Sequence, residues 1–124
     1  MAYDYNLLII GAGPGGYVGA IRARQLGLNV CVVEKDKAGG VCLNIGCIPS
    51  KSLVHQAESF HSISDLERMG VKVDLSDFDY SKAQAESRKA ADQLSKGVGF
   101  LLKKNKVDYV EGTAVITGEH EVTV

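Results

Sequence analysis

The chain has 124 residues, of which 45% are hydrophobic and 23% are charged, and 14 basic residues stand against 15 acidic ones. This length suits one ordinary domain and the composition is globular, while nucleic-acid binders carry a basic face that this balance lacks. The longest strongly apolar run, residues 7–12, is too short to span a bilayer and no basic leader precedes it, so we expect a cytoplasmic protein with no membrane or nucleic-acid partner.

The first part of the chain alternates strand and helix patterns. Residues 7–10 form a continuous apolar run, which is typical of a strand buried on both faces of a parallel sheet. Pro14 suits the first position of a helix and Gly27 suits the position after its end, which predicts a helix over about 14–26. A second apolar run over residues 30–33 completes a βαβ unit, which we expect to be right-handed.

The middle of the chain predicts a loop and two helices. Residues 36–49 resemble a glycine-rich loop that leads into a helix over about 50–61, and residues 62–79 resemble an irregular surface connection. The apolar periodicity then predicts a long amphipathic helix over 80–104. Its apolar side would consist of Ala83, Ala90, Leu94, Val98 and Leu101.

Three short strands are predicted near the end of the chain, over residues 107–110, 114–117 and 121–124. We expect them to form a small antiparallel β-meander. The sequence therefore predicts an α/β fold, with a Rossmann-like βαβ unit, a parallel sheet, long helices and this meander.

The turn after the first strand carries a fingerprint for binding a dinucleotide. Gly11, Gly13 and Gly16 have the G-x-G-x-x-G spacing, and Glu34 ends the next strand. Gly11 allows the tight turn, Gly13 lets a pyrophosphate approach the free N–H groups of the helix start, and Gly16 lets the helix lie close to the sheet. Glu34 would accept hydrogen bonds from ribose hydroxyls. The pattern does not distinguish NAD from FAD.

Two of the three cysteines form a candidate redox pair. Cys31 lies in the apolar second strand, where we expect it to be a buried packing residue. Four residues separate Cys42 from Cys47, which is close enough for a disulfide if the backbone permits it. A helix start favours thiolates, and Lys51 would lower the thiol pKa further, which favours a labile disulfide. A zinc site, which lacks a second cysteine pair here, and two unrelated free thiols are the alternatives.

The fingerprint, Glu34 and the segment from Gly40 to Lys51 (GVCLNIGCIPSK) together resemble the flavin-dependent pyridine-nucleotide disulfide oxidoreductases. The similarity covers essentially the whole chain. Within this family the segment is most similar to that of the dihydrolipoamide dehydrogenases, and the mercuric and glutathione reductases are the alternatives within the family.

The resemblance implies an FAD site and a set of catalytic residues. Cys42 would exchange with the dithiol substrate, Cys47 would lie against the flavin and pass electrons to it, and Lys51 would tune the charge near the flavin ring. No metal is implied. The residues implied in cofactor binding are Gly11, Gly13, Gly15, Gly16, Glu34, Lys35, Gly39, Gly40, Val41, Cys42, Lys51, Gly112 and Ala114.

The implied reaction passes electrons from dihydrolipoamide, or a lipoyl-bearing protein, through the cysteine pair and FAD to NAD. Members of the family are several times longer and work as homodimers. We therefore expect residues 1–124 to be the N-terminal segment of a discontinuous FAD-binding domain, without the NAD-binding and dimerisation domains, and to be inactive in isolation. The alternatives are a stand-alone nucleotide-binding or electron-carrier module with a redox disulfide, and an NAD-binding domain with a structural disulfide.

Overall fold

The computed structural model describes residues 3–124, which fold into helices and two small sheets. In chain order the elements are β1 (Leu7–Ile10), α1 (Pro14–Gln25), β2 (Val30–Glu34), α2 (Gly40–Asn44), α3 (Cys47–His61), α4 (Ile63–Arg68), α5 (Tyr80–Lys104), β3 (Asp108–Glu111), β4 (Val115–Gly118) and β5 (Glu121–Thr123). No helix within this described range has the length and apolarity needed to cross a membrane.

A parallel sheet with the strand order β1-β2-β3 forms the centre of the fold. Leu7 of β1 pairs with Val30 of β2, and Val32 of β2 pairs with Tyr109 of β3. Every residue of the central strand β2 is buried, which explains its unbroken apolar run. The α/β fold class and the βαβ unit are confirmed.

The hydrophobic core lies between the sheet and the helices α1 and α5. Ala20 of α1, Val32 of β2 and Leu102 of α5 are fully buried in it. Burying a leucine side chain of this kind contributes roughly 1.5–3 kcal/mol to folding. The small side chains on the inner face of α1 let this helix lie close to the sheet, so the start of α1 is held near the ends of the strands.

The structure adds helix where the sequence predicted loop. α2 lies inside the predicted glycine-rich loop, and α3 begins at Cys47, before the predicted start at residue 50. Pro49 lies in the first turn of α3, where a backbone N–H has no helical partner, so the N–H that proline lacks is not missed. The helical hydrogen bonds begin with the Ser50 N–H, which donates to the Gly46 carbonyl at 3.1 Å. The prediction of an irregular connection over 62–79 is wrong for α4, which is six residues long and too short for periodicity to reveal.

The bounds of the predicted long helix agree with α5, but its buried face differs from the prediction. Leu94 and Leu101 are 45% and 42% exposed. The buried positions are Ser87, Ala91, Val98 and Leu102. Ser87 escaped the hydrophobic pattern because it is polar; its hydroxyl donates to the Gln84 carbonyl at 2.7 Å, so burial leaves it satisfied.

The three predicted C-terminal strands divide between two sheets. β3 joins the parallel sheet beside β2, since α5 provides the long crossover that a parallel connection requires. β4 and β5 pair with each other as an antiparallel hairpin. Within residues 3–124 the expected meander is therefore a two-stranded hairpin.

Candidate functional site

A cleft of about 420 Å³ lies at the edge of the parallel sheet where the strands end. In open α/β sheets this carboxyl edge is where ligands bind. The predicted cofactor-binding residues that line the cleft are Gly11, Glu34, Lys35, Gly40, Val41, Gly112 and Ala114. The structure thus brings together residues that lie about a hundred positions apart in the chain.

The glycine turn after β1 holds the start of α1 directly against the strand end. A Cβ atom on Gly16 would lie 1.9 Å from the Gly11 carbonyl oxygen, so only glycine fits there. A Cβ atom on Gly13 would meet nothing within 4 Å. Gly13 is the N-cap residue of α1, and open space beside it suits an anion, because the first N–H groups of a helix have no helical partners.

Glu34 is buried at the end of β2 and holds two turns in place. Its Oε2 accepts a hydrogen bond from the Ala12 N–H at 2.7 Å, and its Oε1 accepts one from the Asp36 N–H at 2.9 Å. An ionised carboxylate has about four acceptor positions. Glu34 therefore fixes the backbone around the cleft and retains acceptor positions for a ligand, whereas the sequence predicted only the ligand role.

α2 is packed against the fingerprint through a second pair of glycines. The Gly39 N–H donates to the Ala12 carbonyl at 2.8 Å. Gly40 has a φ of 59°, and a Cβ atom on it would lie 2.8 Å from the Gly13 Cα. A side chain at position 40 would therefore push the two loops apart. This contact places the cysteine-bearing segment beside the glycine turn.

Cys42 lies half-buried in α2, and Cys47 is exposed at the first position of α3; both are free thiols. The pKa of Cys42 is raised, chiefly by hydrogen bonding with the Cys47 thiol and secondarily by burial, while the charge of Lys51 lowers it. The expectation of a lowered thiol pKa is wrong for Cys42, because a neighbouring thiol that shares the proton outweighs the exposed lysine.

Other predicted residues lie next to the cleft or outside it. Gly15 is exposed on the first turn of α1, and Lys51 is exposed on α3. Cys31 is buried as predicted, and its burial raises the pKa of its thiol. No group of three or more side chains suited to holding a metal ion occurs within residues 3–124.

Three residues at the site were assigned no role from the sequence. Asn44 is buried at the end of α2 and lines the cleft. The Arg88 Nη1 donates to the Asn44 carbonyl at 2.8 Å, and the Ser95 hydroxyl donates to the Ala38 carbonyl at 2.7 Å. Asn44 could have been noticed from its position between the cysteines. The two α5 residues carry no local signal, because their partners lie 44 and 57 positions away.

A parallel βαβ sheet with a glycine turn, an acidic strand end and two nearby thiols is the arrangement of a Rossmann-like fold. The family model for pyridine nucleotide-disulphide oxidoreductases matches residues 5–124. The chain belongs to this family, and the resemblance stated from the sequence is confirmed.

Dihydrolipoyl dehydrogenases are among the curated relatives that the chain resembles. The chain is 47% identical over 124 residues to one from Zymomonas mobilis, with 100% of this chain and 27% of the relative covered. It is 46% identical over 125 residues to one from Rhizobium etli, covering 100% and 26%, and 47% identical over 121 residues to one from Mycobacterium leprae, covering 97% and 26%. The chain therefore spans about a quarter of the length of these relatives.

Proposed function

We propose that this chain forms the FAD-binding part, with the redox cysteine pair, of an oxidoreductase of the dihydrolipoyl dehydrogenase type. In the whole protein, electrons pass from dihydrolipoamide or a lipoyl-bearing protein through Cys42 and Cys47 to FAD and then to NAD. Residues 1–124 are the N-terminal segment of a discontinuous FAD-binding domain in a homodimeric enzyme. The observation that carries the proposal is that one sheet edge joins the glycine turn, Glu34 and the helix that holds Cys42.

The chain fits a dinucleotide at this edge. The space in front of Gly13, next to the start of α1, accepts a pyrophosphate, and the remaining acceptor positions of Glu34 accept ribose hydroxyls. Lys35, which is exposed, lines the same cleft together with Gly112 and Ala114, and the last two would hold the adenine end of the dinucleotide.

The cysteine pair exchanges electrons with the substrate in two steps. A substrate thiolate attacks the sulfur of Cys42 in the disulfide and displaces Cys47 as a thiolate. The second substrate thiol then attacks the sulfur already bound to Cys42, which releases Cys42 and closes the substrate disulfide. Two electrons pass from the substrate to the pair. The proton of the attacking thiol leaves to solvent when the thiolate forms, Cys47 is left as a thiolate, and the second substrate thiol passes its proton to Cys42, whose raised pKa keeps it there.

Bound FAD supplies a two-electron acceptor for the reduced pair. Cys47 is exposed at the start of α3, which leaves its sulfur accessible to a neighbouring ring. Lys51 lies one turn further along the same exposed face of α3, where its charge lowers the pKa of Cys42 and would act on a flavin bound nearby.

The proposal is tested on the complete protein that carries this chain. We expect the purified protein to contain FAD and to reduce NAD when dihydrolipoamide is supplied. Cys42→Ser and Cys47→Ser should each lower this turnover by about 1,000-fold or more and leave the FAD content unchanged, since each removes one half of the disulfide. Cys31→Ala is the matched control and should retain the turnover. Normal turnover in either serine variant would refute the proposal.

The 124-residue chain alone provides a second readout. We expect it to show no NAD-linked oxidation of dihydrolipoamide. Stoichiometric, tightly bound FAD in the isolated chain, together with a reversible Cys42–Cys47 disulfide, would instead favour a stand-alone electron-carrier module.

A further inference from the structure

The long helix α5 is hydrogen-bonded to both ends of the short helix α2. At the exit of α2, Arg88 donates from Nη1 to the carbonyl of Asn44 at 2.8 Å. At the entry, the Ser95 hydroxyl donates to the carbonyl of Ala38 at 2.7 Å. The last carbonyls of a helix have no partner within the helix, so Arg88 satisfies a group that α2 leaves open. We call Arg88 and Ser95 the α5 anchor.

The side chain of Asn44 joins the two anchored ends to each other. Its Nδ2 donates to the Ala38 carbonyl at 3.1 Å and to the Gly40 carbonyl at 2.9 Å. Asn44 is only 9% exposed, so these bonds are shielded from water. Entry and exit of α2 therefore form one hydrogen-bonded unit, and Cys42 lies inside it.

The connection from this unit to Cys47 is short and tight. Ile45 and Gly46 are the residues between α2 and α3. A Cβ atom on Gly46 would lie 2.9 Å from the Val41 carbonyl oxygen, so the connection passes close over α2. Cys42 lies on α2 and Cys47 begins α3, so a displacement of α2 relative to α3 changes the spacing of the two thiols.

The charge of Arg88 also suits its position. A guanidinium at the carboxyl end of a helix interacts favourably with the helix dipole, and a hydrogen bond from an ionised donor is stronger than a neutral one. The next residue, Lys89, lies 3.4 Å from Glu86 on the same helix and does not share this role. Lys89 therefore offers a matched control of the same charge.

We propose that Arg88 and Ser95 are positioning residues for the cysteine pair, acting through the carbonyls of Asn44 and Ala38. The inference rests on the proposed redox role of Cys42 and Cys47. A disulfide requires Cβ atoms about 3.5–4.5 Å apart and a defined dihedral angle. Holding α2 in place raises the effective concentration of one thiol beside the other and so stabilises the disulfide.

The test is the equilibrium of the complete protein with glutathione buffers. Oxidised glutathione takes two electrons and two protons from Cys42 and Cys47, which form a disulfide while two glutathione thiols are released. Alkylation and peptide mass spectrometry measure the fraction oxidised and distinguish the pair from Cys31. We expect Arg88→Met to lower the equilibrium constant for disulfide formation about tenfold, which is a rise of about 30 mV in reduction potential. Arg88→Lys, which keeps a charged donor, should stay within about threefold of the unmodified protein.

Lys89→Met is the control and should leave the equilibrium unchanged. Ser95→Ala should shift it in the same direction as Arg88→Met by a smaller factor, and it serves as the decisive variant if Arg88→Met does not fold. The proposal is overturned if the folded anchor variants match the unmodified protein within twofold, or if Lys89→Met shifts the equilibrium equally. An unmodified protein that forms no Cys42–Cys47 disulfide in any buffer overturns the proposed function and this inference with it.

Discussion

The glycine turn and the cysteine segment, though adjacent at one cleft, are held in place by different kinds of contact. In the β1–α1–β2 unit the fixing contacts are internal: Gly16 packs on Gly11, and Glu34 accepts from Ala12. The cysteine segment, residues 38–47, is held in addition by α5, whose side chains reach carbonyls 44 and 57 positions away in the chain. The βαβ unit is therefore organised largely by contacts within its own sequence, while the segment that carries Cys42 is also held by a distant helix.

The two regions meet at a narrow line of backbone contacts. Gly40 lies against Gly13, and the Gly39 N–H reaches the Ala12 carbonyl. The comparison therefore predicts that damage to the glycine turn reduces stability strongly, whereas damage to the cysteine segment changes mainly its thiol chemistry.

The largest effect is expected for Gly16→Ala. The new Cβ would lie 1.9 Å from the Gly11 carbonyl oxygen, so α1 must move away from the strand end. We expect a loss of about 3 kcal/mol in the free energy of unfolding, which urea denaturation measures. Gly15→Ala is the matched control, because its Cβ meets nothing within 4 Å and alanine favours the helix. Equal stability of the two variants would contradict a close contact between Gly16 and the Gly11 carbonyl.

A smaller effect is expected for Glu34→Gln. Each carboxylate oxygen of Glu34 accepts a hydrogen bond from a backbone N–H. The amide of glutamine keeps one acceptor oxygen, but its NH₂ group faces the other N–H and cannot accept from it. Hydrogen bonds to charged groups contribute about 1.5–3 kcal/mol, so we expect a loss of about 2 kcal/mol in the free energy of unfolding. Glu111→Gln, at the position paired with Glu34 on β3 but exposed, should change it by less than about 0.5 kcal/mol. If Glu34→Gln and Glu111→Gln had the same free energy of unfolding, Glu34 would have no structural role.

Substitutions at and near the cysteines should have the smallest effect on stability, but they should shift the pKa of Cys42. Hydrogen bonding with Cys47 raises the pKa of Cys42, and the charge of Lys51 lowers it. Cys47→Ala should therefore move the pH midpoint for alkylation of Cys42 downward, and Lys51→Met should move it upward. Iodoacetamide labelling of the reduced protein across the pH range measures both shifts. Shifts of the same sign in the two variants would contradict this account.

The parts of the fold that the sequence predicted correctly have strong local patterns. The run over residues 30–33 became the fully buried β2, and α5 has the predicted bounds. α2 and α4 have five and six residues, too few for a helical period to emerge from the pattern. The buried face of α5 differed because Ser87 is buried, and a hydroxyl satisfied by its own helix does not register as hydrophobic.

At the candidate site, too, the residues with a local sequence pattern were predicted and the properties without one were not. The G-x-G-x-x-G spacing and Glu34 were identified from sequence because each residue type follows from local backbone geometry, and the structure accounts for Gly16 by a contact that excludes any side chain. The thiol pair was identified from its spacing, but the direction in which the pKa of Cys42 shifts was not predicted correctly. That direction depends on the balance between the neighbouring thiol and Lys51, which spacing alone does not determine.

The sequence by itself determined the βαβ unit, its dinucleotide fingerprint and the presence of two thiols four residues apart, because these follow from local periodicity and backbone sterics. Only the tertiary structure decided that β3 joins the parallel sheet, that Glu34 also fixes the turns around the cleft, and that Arg88 and Ser95 hold α2. The position of β3 and the hold on α2 depend on the packing of α5, and the bond between Glu34 and Ala12 joins residues 22 positions apart. Such contacts leave no periodic mark in the sequence.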